Sequence, residues 1–171
     1  MTNFIVTTKR TRIRKITLAD APFLFELLNT RDWINYIGDR NLNTISDVES
    51  YIEKIFINVY QECGFGYYHI SSSDGDDIGI AGFFKKPYLE NEDYGFAILP
   101  KFYQMGFGYE VGEALVNYGT KEFSFTKLDA VTMQSNCASQ KLLEKLGFTR
   151  IGLITLPDKS EEDLLYRWLA R

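Results

Sequence analysis

The run Gln104, Met105, Gly106, Phe107, Gly108, Tyr109, Glu110 sets two glycines one residue apart, directly before a segment of helical composition. That pattern suits phosphate chemistry. A backbone without Cβ can approach a ligand closely, and successive amide N–H groups at a helix N-terminus form a concave set of donors that the helix dipole reinforces. A pyrophosphate is the natural guest, although two glycines before a helix also fit an ordinary turn. Gly106, Gly108 and Gly112 run one residue too long for a Rossmann fingerprint, and no Lys-Ser or Lys-Thr follows as a P-loop requires.

A second chemistry-bearing stretch is Asn136 to Phe148, NCASQKLLEKLGF. Asn136 reads as a helix cap, Ala138, Leu142 and Leu146 share one face, and Gly147 takes the left-handed stop. Only Ser139 lacks a structural task there. Three carboxylates, Glu90, Glu92 and Asp93, precede the strand-like DYGFAILP. Side-chain alternation puts Asp93, Gly95 and Ala97 on one face and Tyr94, Phe96 and Ile98 on the other, so small residues flank Asp93. Three acids near a turn also describe a solvated edge. His69, the one histidine, sits among strand tyrosines and reads as a packed residue. Cys137 lies beside a cap, which disfavours an acyl-enzyme route.

The elements that must hold these residues follow from periodicity. TRIRKI is a short strand, and Asp20 with Pro22 opens a helix through FLFELL. Ser46 and Glu49 signal a second helix with an apolar stripe of Val48, Ile52, Ile55, Phe56 and Val59. RDWINYIGDRNLN between them is a short helix or loop. From Phe65 the period becomes two, and SSDGDD supplies a hairpin turn before IGIAGFF. DYGFAILP completes a meander; then come a helix in VGEALVNYG, a strand in LDAVTM, the helix of ASQKLLEKLGF, and strands in RIGLITL and DLLYRWLA. The order β α α β β β α β α β β describes an α/β layer on a mixed, mostly antiparallel sheet of six to seven strands, spanning residues 1–171 as one domain.

Composition narrows the function classes. The 171 residues are 45% hydrophobic and 25% charged, as in average globular chains, which excludes disordered and fibrous classes. Nineteen basic against 23 acidic residues leave a net charge of −4, so no cationic field points to nucleic acid or an anionic membrane. Two cysteines build neither a disulfide framework nor a zinc site, and no metal is expected. No apolar h-region or membrane span is evident, and a cytoplasmic location is expected.

Taken together, RIRKITLADAPFLFELL, DYGFAILPKFYQMGFGYE and NCASQKLLEKLGF resemble the GNAT N-acetyltransferase superfamily, in particular its RimJ/RimL-like branch, over nearly the whole chain. The resemblance implies a GNAT fold whose fourth and fifth strands splay apart to admit the pantetheine arm of acetyl-CoA. It implies backbone contacts to pantetheine from Ile98 and Leu99 and to pyrophosphate from Met105, Gly106, Phe107, Gly108 and Tyr109. Asn136 and Ser139 would face the cofactor. Trp33 and Tyr36 would wall the acceptor site. Three departures stand out: Met105 replaces the usual Gln or Arg, Glu110 a small residue, and Leu143 the tyrosine that serves many relatives as acid.

Acyl transfer to an amine needs the nucleophile neutral, yet a lysine-type amine has pKa about 10.4 and the leaving thiol about 8.5. The resemblance therefore implies Ser139 as a hydrogen-bond donor to the leaving sulfur, with Asp93, Glu92 or a water as base. The expected partner is a small-molecule or peptide amine, and a homodimer is left open. Two other readings stand beside this one: a non-catalytic acyl-CoA-binding module, and, less favoured by spacing, a dinucleotide-binding fragment.

Overall fold

The computed structural model describes residues 3–170. Among them eight strands form one sheet: β1 (Phe4–Thr7), β2 (Thr11–Lys15), β3 (Tyr67–Ser72), β4 (Asp77–Phe84), β5 (Asp93–Ile98), β6 (Lys127–Thr132), β7 (Thr149–Thr155) and β8 (Glu162–Leu169), in the order β1-β2-β3-β4-β5-β6-β8-β7. The expected count of six to seven is exceeded by β1. Its four residues FIVT pair antiparallel with β2 through Val6↔Ile13 and Thr7↔Arg12, across a turn without glycine or proline to announce it.

The helices are α1 (Ala21–Leu28), α2 (Arg31–Tyr36), α3 (Ile45–Tyr51), α4 (Asn58–Cys63), α5 (Phe107–Phe123) and α6 (Cys137–Lys145). RDWINY is thus a helix, started by Thr30, whose hydroxyl accepts from the Trp33 amide. The second expected helix begins two residues early: Thr44 and Asp47 form the capping box, in place of Ser46 and Glu49. A π-helical turn over Ile52–Ile57 joins α3 to α4. The wider turn rotates the buried stripe onto Val48, Ile52, Phe56 and Tyr60, so Tyr60 replaces Val59. The Tyr60 hydroxyl accepts from the Ile16 amide at 3.0 Å and donates to the Tyr67 carbonyl, tying this rod to β2 and β3.

Paired register divides the helices between two faces. His69 lies opposite Ile80 and Ile80 opposite Ala97, so Tyr67, His69, Asp93, Gly95 and Ala97 share a face. Phe23 of α1 packs edge-on against His69 there, and Phe56 packs against Tyr67. The other face carries Phe83, Tyr94 and Ile98. It is covered by α5 and α6: Gly119 of α5 accepts Phe83 closely, and Gly108 and Gly112 accept Leu142 and Leu146 of α6. Side chains at these three glycines would hold both helices off the sheet and off each other.

β5 and β6 run parallel and pair at a single register position, Asp93↔Asp129, where the Asp129 amide donates to the Glu92 carbonyl at 2.9 Å. Beyond it they diverge. The fifth and sixth strands are those expected to splay as fourth and fifth, renumbered by β1.

Gly79 positions the near wall of that gap. A Cβ at Gly79 would lie 2.2 Å from the Ala97 carbonyl oxygen and 2.9 Å from the Ile98 Cα, both backbone atoms that cannot swing aside. Gly79→Ala is expected to cost about 2 kcal/mol of overpacking in urea unfolding. Gly152→Ala, where nothing lies within 4 Å of the added Cβ, should stay within about 0.5 kcal/mol of the parent.

Candidate active site

The geometry of the glycine loop begins at the end of β5. The Leu99 amide donates to the Ile78 carbonyl at 2.8 Å, and its own carbonyl accepts from Phe102 at 2.9 Å. The Leu99 amide is therefore committed, and its carbonyl already accepts one bond. Backbone alternation turns the amides and carbonyls of Phe96 and Ile98 the other way, into the gap toward β6, where no pairing continues. Gln104 and Gly106 adopt left-handed φ values of 59° and 81°. Those two reversals fold the loop so that Phe107, Gly108 and Tyr109 become the first three residues of α5, whose amides lie ahead of the first intrahelical bond, from the Glu110 amide to the Gly106 carbonyl. Bare donors at a helix start fit a diphosphate. The Met105 side chain is exposed.

Glu110, the awkward acid of this loop, is drawn off toward the β1–β2 turn. Its carboxylate accepts from the Thr8 hydroxyl at 2.6 Å, the Arg10 amide at 2.9 Å and Arg10 Nε at 2.6 Å. Burial works to raise its pKa, and these bonds outweigh burial and hold it below the ordinary glutamate value.

On the opposite face, at the foot of the gap, Asp93 is 7% exposed. Lys86 Nζ stands 3.7 Å from its carboxylate and the Val131 amide is directed at it. Burial pushes the Asp93 pKa up to about 7, the neighbouring Asp129 adds to the rise, and Lys86 opposes it. Asp129, fully buried, is paired instead: Arg167 donates to both of its oxygens at 2.7 and 3.1 Å, and Asn91 adds side-chain bonds at 3.2 Å. The space left beside Asp93 by Gly95 is filled by Tyr67, whose hydroxyl lies 2.3 Å from where a Gly95 Cβ would be. Burial, then Asp93, Tyr51 and Tyr88, hold the Tyr67 phenol well above its ordinary pKa.

The Asn136 side-chain oxygen caps α6 by accepting from the Ser139 amide at 3.1 Å, which leaves its NH₂ and the half-buried Ser139 hydroxyl uncommitted among the described residues. Leu143 is core, 1% exposed. Trp33 is buried and Tyr36 half-exposed on α2. α2 is tied to the loop before α5 through the Tyr103 hydroxyl, which donates to Asp32 at 2.9 Å, rather than to the group around Asp93. His69 is a packed residue, its Nε2 2.6 Å from Asp77, with burial lowering its pKa. Cys137 is exposed.

The sequence reading missed Lys86, Tyr67 and Arg10. The hairpin pairing Phe84↔Asp93 returns Lys86 to Asp93, and Gly95 was a sign of close approach by another group. Nothing local links Arg10 to a glutamate one hundred residues away.

Known proteins match this arrangement. Residues 10–149 match the Acetyltransferase (GNAT) domain family, so the chain belongs to the GNAT acetyltransferases. It is 30% identical over 152 residues to the uncharacterized N-acetyltransferase YoaA of Bacillus subtilis (strain 168), covering 88% of this chain and 85% of the relative. The fold is shared with RimL, a ribosomal L7/L12 alpha-N-protein acetyltransferase, at a TM-score of 0.84 and 15% identity, covering 99% and 96% of the two chains. It is also shared with the aminoglycoside acetyltransferase AAC(6')-Ib, solved with coenzyme A, at 0.76 and 22%, covering 93% and 94%. The chain is an acetyltransferase of the family that uses acetyl-CoA. No helix among the described residues is long and apolar enough to cross a membrane.

The Asp93 environment predicts a pH signature in stability. Its folded pKa of about 7 exceeds the unfolded 3.8, so the contribution of the neutral acid is complete below pH 3.8 and is lost as pH rises through 7. Asp93→Asn should remove that loss: relative to the parent, the variant gains about 4 kcal/mol between pH 4 and pH 8 in denaturant titrations. Parallel pH profiles for the two proteins would show that Asp93 is ionised without penalty.

Proposed function

We propose that the chain transfers the acetyl group of acetyl-CoA to a primary amine by direct attack in a ternary complex, with Asp93 accepting the proton of the amine. The observation that carries this reading is the buried Asp93 carboxyl, poised near neutrality at the foot of the β5–β6 gap and on the face opposite the bare amides of α5. A base matched to the working pH transfers protons efficiently, whereas a solvated aspartate is too weak. Donor and acceptor then approach from opposite faces of the sheet and meet in the gap.

In this reading the amides of Gly106, Phe107, Gly108 and Tyr109 hold the diphosphate, and the backbone of Ile98 pairs with pantetheine. Asn136 and Ser139 lie along the β6 wall, where the Ser139 hydroxyl donates to the leaving sulfur. The amine attacks the thioester carbon, its proton passes to Asp93, and the tetrahedral intermediate expels the thiolate. Tyr67 beside Asp93, with Tyr51 and Tyr88 near it, lines the acceptor side, and Trp33 and Tyr36 wall it from α2, on the side of the loop before α5. The acceptor is a protein N-terminus, a polyamine or a small-molecule amine. RimL, named for α-N-acetylation of a ribosomal protein, and AAC(6')-Ib, named for aminoglycosides, share the fold and span this range.

Thiol release from acetyl-CoA over a panel of peptides, polyamines and aminoglycosides tests the reading. Activity should rise with pH through about 7. Asp93→Asn should lower kcat about 100-fold or more and flatten that limb, and Ser139→Ala should lower it about tenfold. Tight coenzyme A binding without turnover on any acceptor, unchanged by either substitution, would mark a binding module instead.

A further inference from the structure

The loop from Phe102 to Tyr109 contains no lysine or arginine, yet a diphosphate brings two negative charges to it, and Glu110 adds a third directly behind. Bare amides carry only partial charge. The β1–β2 turn brings a full one. Arg10 lies against this loop through four separate contacts: its backbone amide and Nε donate to Glu110, Nη1 donates to the Met105 carbonyl at 2.9 Å, and the guanidinium carbon stands 4.5 Å from the centroid of the Phe107 ring. One corner of the guanidinium is left over. Nη2 has no acceptor among the described residues and lies 3.3 Å from the position a Cβ would take on Gly106, the left-handed glycine that starts the row of bare amides.

We propose that Arg10 is a cofactor-binding residue, whose Nη2 edge donates to the diphosphate of coenzyme A from the β1–β2 turn while Glu110 and Phe107 hold the guanidinium plane in place. This rests on the reading that the loop takes coenzyme A. The assignment explains three features together. Glu110 is tolerated beside a phosphate site because Arg10 and Thr8 occupy its carboxylate. The Arg10 side chain remains 42% exposed despite its bonds. And the N-terminal hairpin, at the sheet edge farthest from β6, acquires a part in the cofactor site. An arginine suits the position better than a lysine because its planar fork serves Glu110, Met105 and a phosphate oxygen at once.

The test is calorimetry of the full chain with three ligands: coenzyme A, dephospho-coenzyme A, which lacks only the 3′-phosphate, and pantetheine, which lacks the diphosphate. Arg10→Ala should weaken coenzyme A and dephospho-coenzyme A by the same factor, about tenfold, the scale of one lost hydrogen bond to a charged group. Pantetheine should be unaffected within about twofold, and Arg10→Lys should fall between. Arg10→Gln keeps two methylenes and a donor at the Nε position for Glu110; it gives the same answer if the alanine variant loses its fold, which thermal unfolding without ligand will report. Equal losses for all three ligands would overturn the proposal in favour of a purely structural tie. A loss confined to coenzyme A would move Arg10 to the 3′-phosphate, and unchanged affinities would remove it from the site. Failure of the unsubstituted chain to bind coenzyme A would instead sink the functional reading beneath it.

Discussion

Two buried carboxylates meet where β5 and β6 touch, and the rest of the site depends on how unequally they are paired. Asp129 receives a two-pronged guanidinium and an amide side chain; Asp93, its register partner, has one lysine at a longer reach. Burial is the main reason that Asp93 holds its proton more tightly, and the neighbouring Asp129 adds to it. The asymmetry ties Asp129 into the Arg167 and Asn91 bonds and leaves Asp93 the carboxyl whose pKa is raised. Because the same residue pair ends the β5–β6 ladder, the buried carboxyl of raised pKa and the opening of the gap are fixed by one junction.

The partition of the faces follows from β-strand alternation. Along β5, odd residues look toward α1–α4 and even residues toward α5 and α6, while their backbone groups alternate between β4 and the open side. A single strand thereby supplies an acid to one face, unpaired peptide groups to the gap, and apolar cover to the other face. Small residues make this possible: Gly95 admits the Tyr67 ring beside Asp93, and Gly108 and Gly112 let α6 close onto α5.

Much of this was legible in the residues. Alternation through DYGFAI placed Asp93 on its face, and the glycines before VGEALVNYG marked the start of α5. What escaped was set by distant partners or by a small local preference. The β1 strand lacked turn punctuation, and the π-helical turn that exchanges Val59 for Tyr60 leaves no periodic trace until the helix is packed. Strand composition does not say which edge the Leu99 amide faces; it pairs with Ile78. The Arg10 contact with Glu110 joins the first hairpin to the fifth helix, and no window along the chain contains both residues.

The sheet order β6-β8-β7 has a consequence for assembly. β8 sits inside β7, against β6, and it carries the Arg167 that neutralises Asp129. During synthesis the near half of the sheet, from β1 to β5, can collapse around α1 to α5 while the anion on β6 still lacks its counter-charge. The second wall of the gap therefore gains its counter-charge only once β8 has followed β7 and inserted between it and β6.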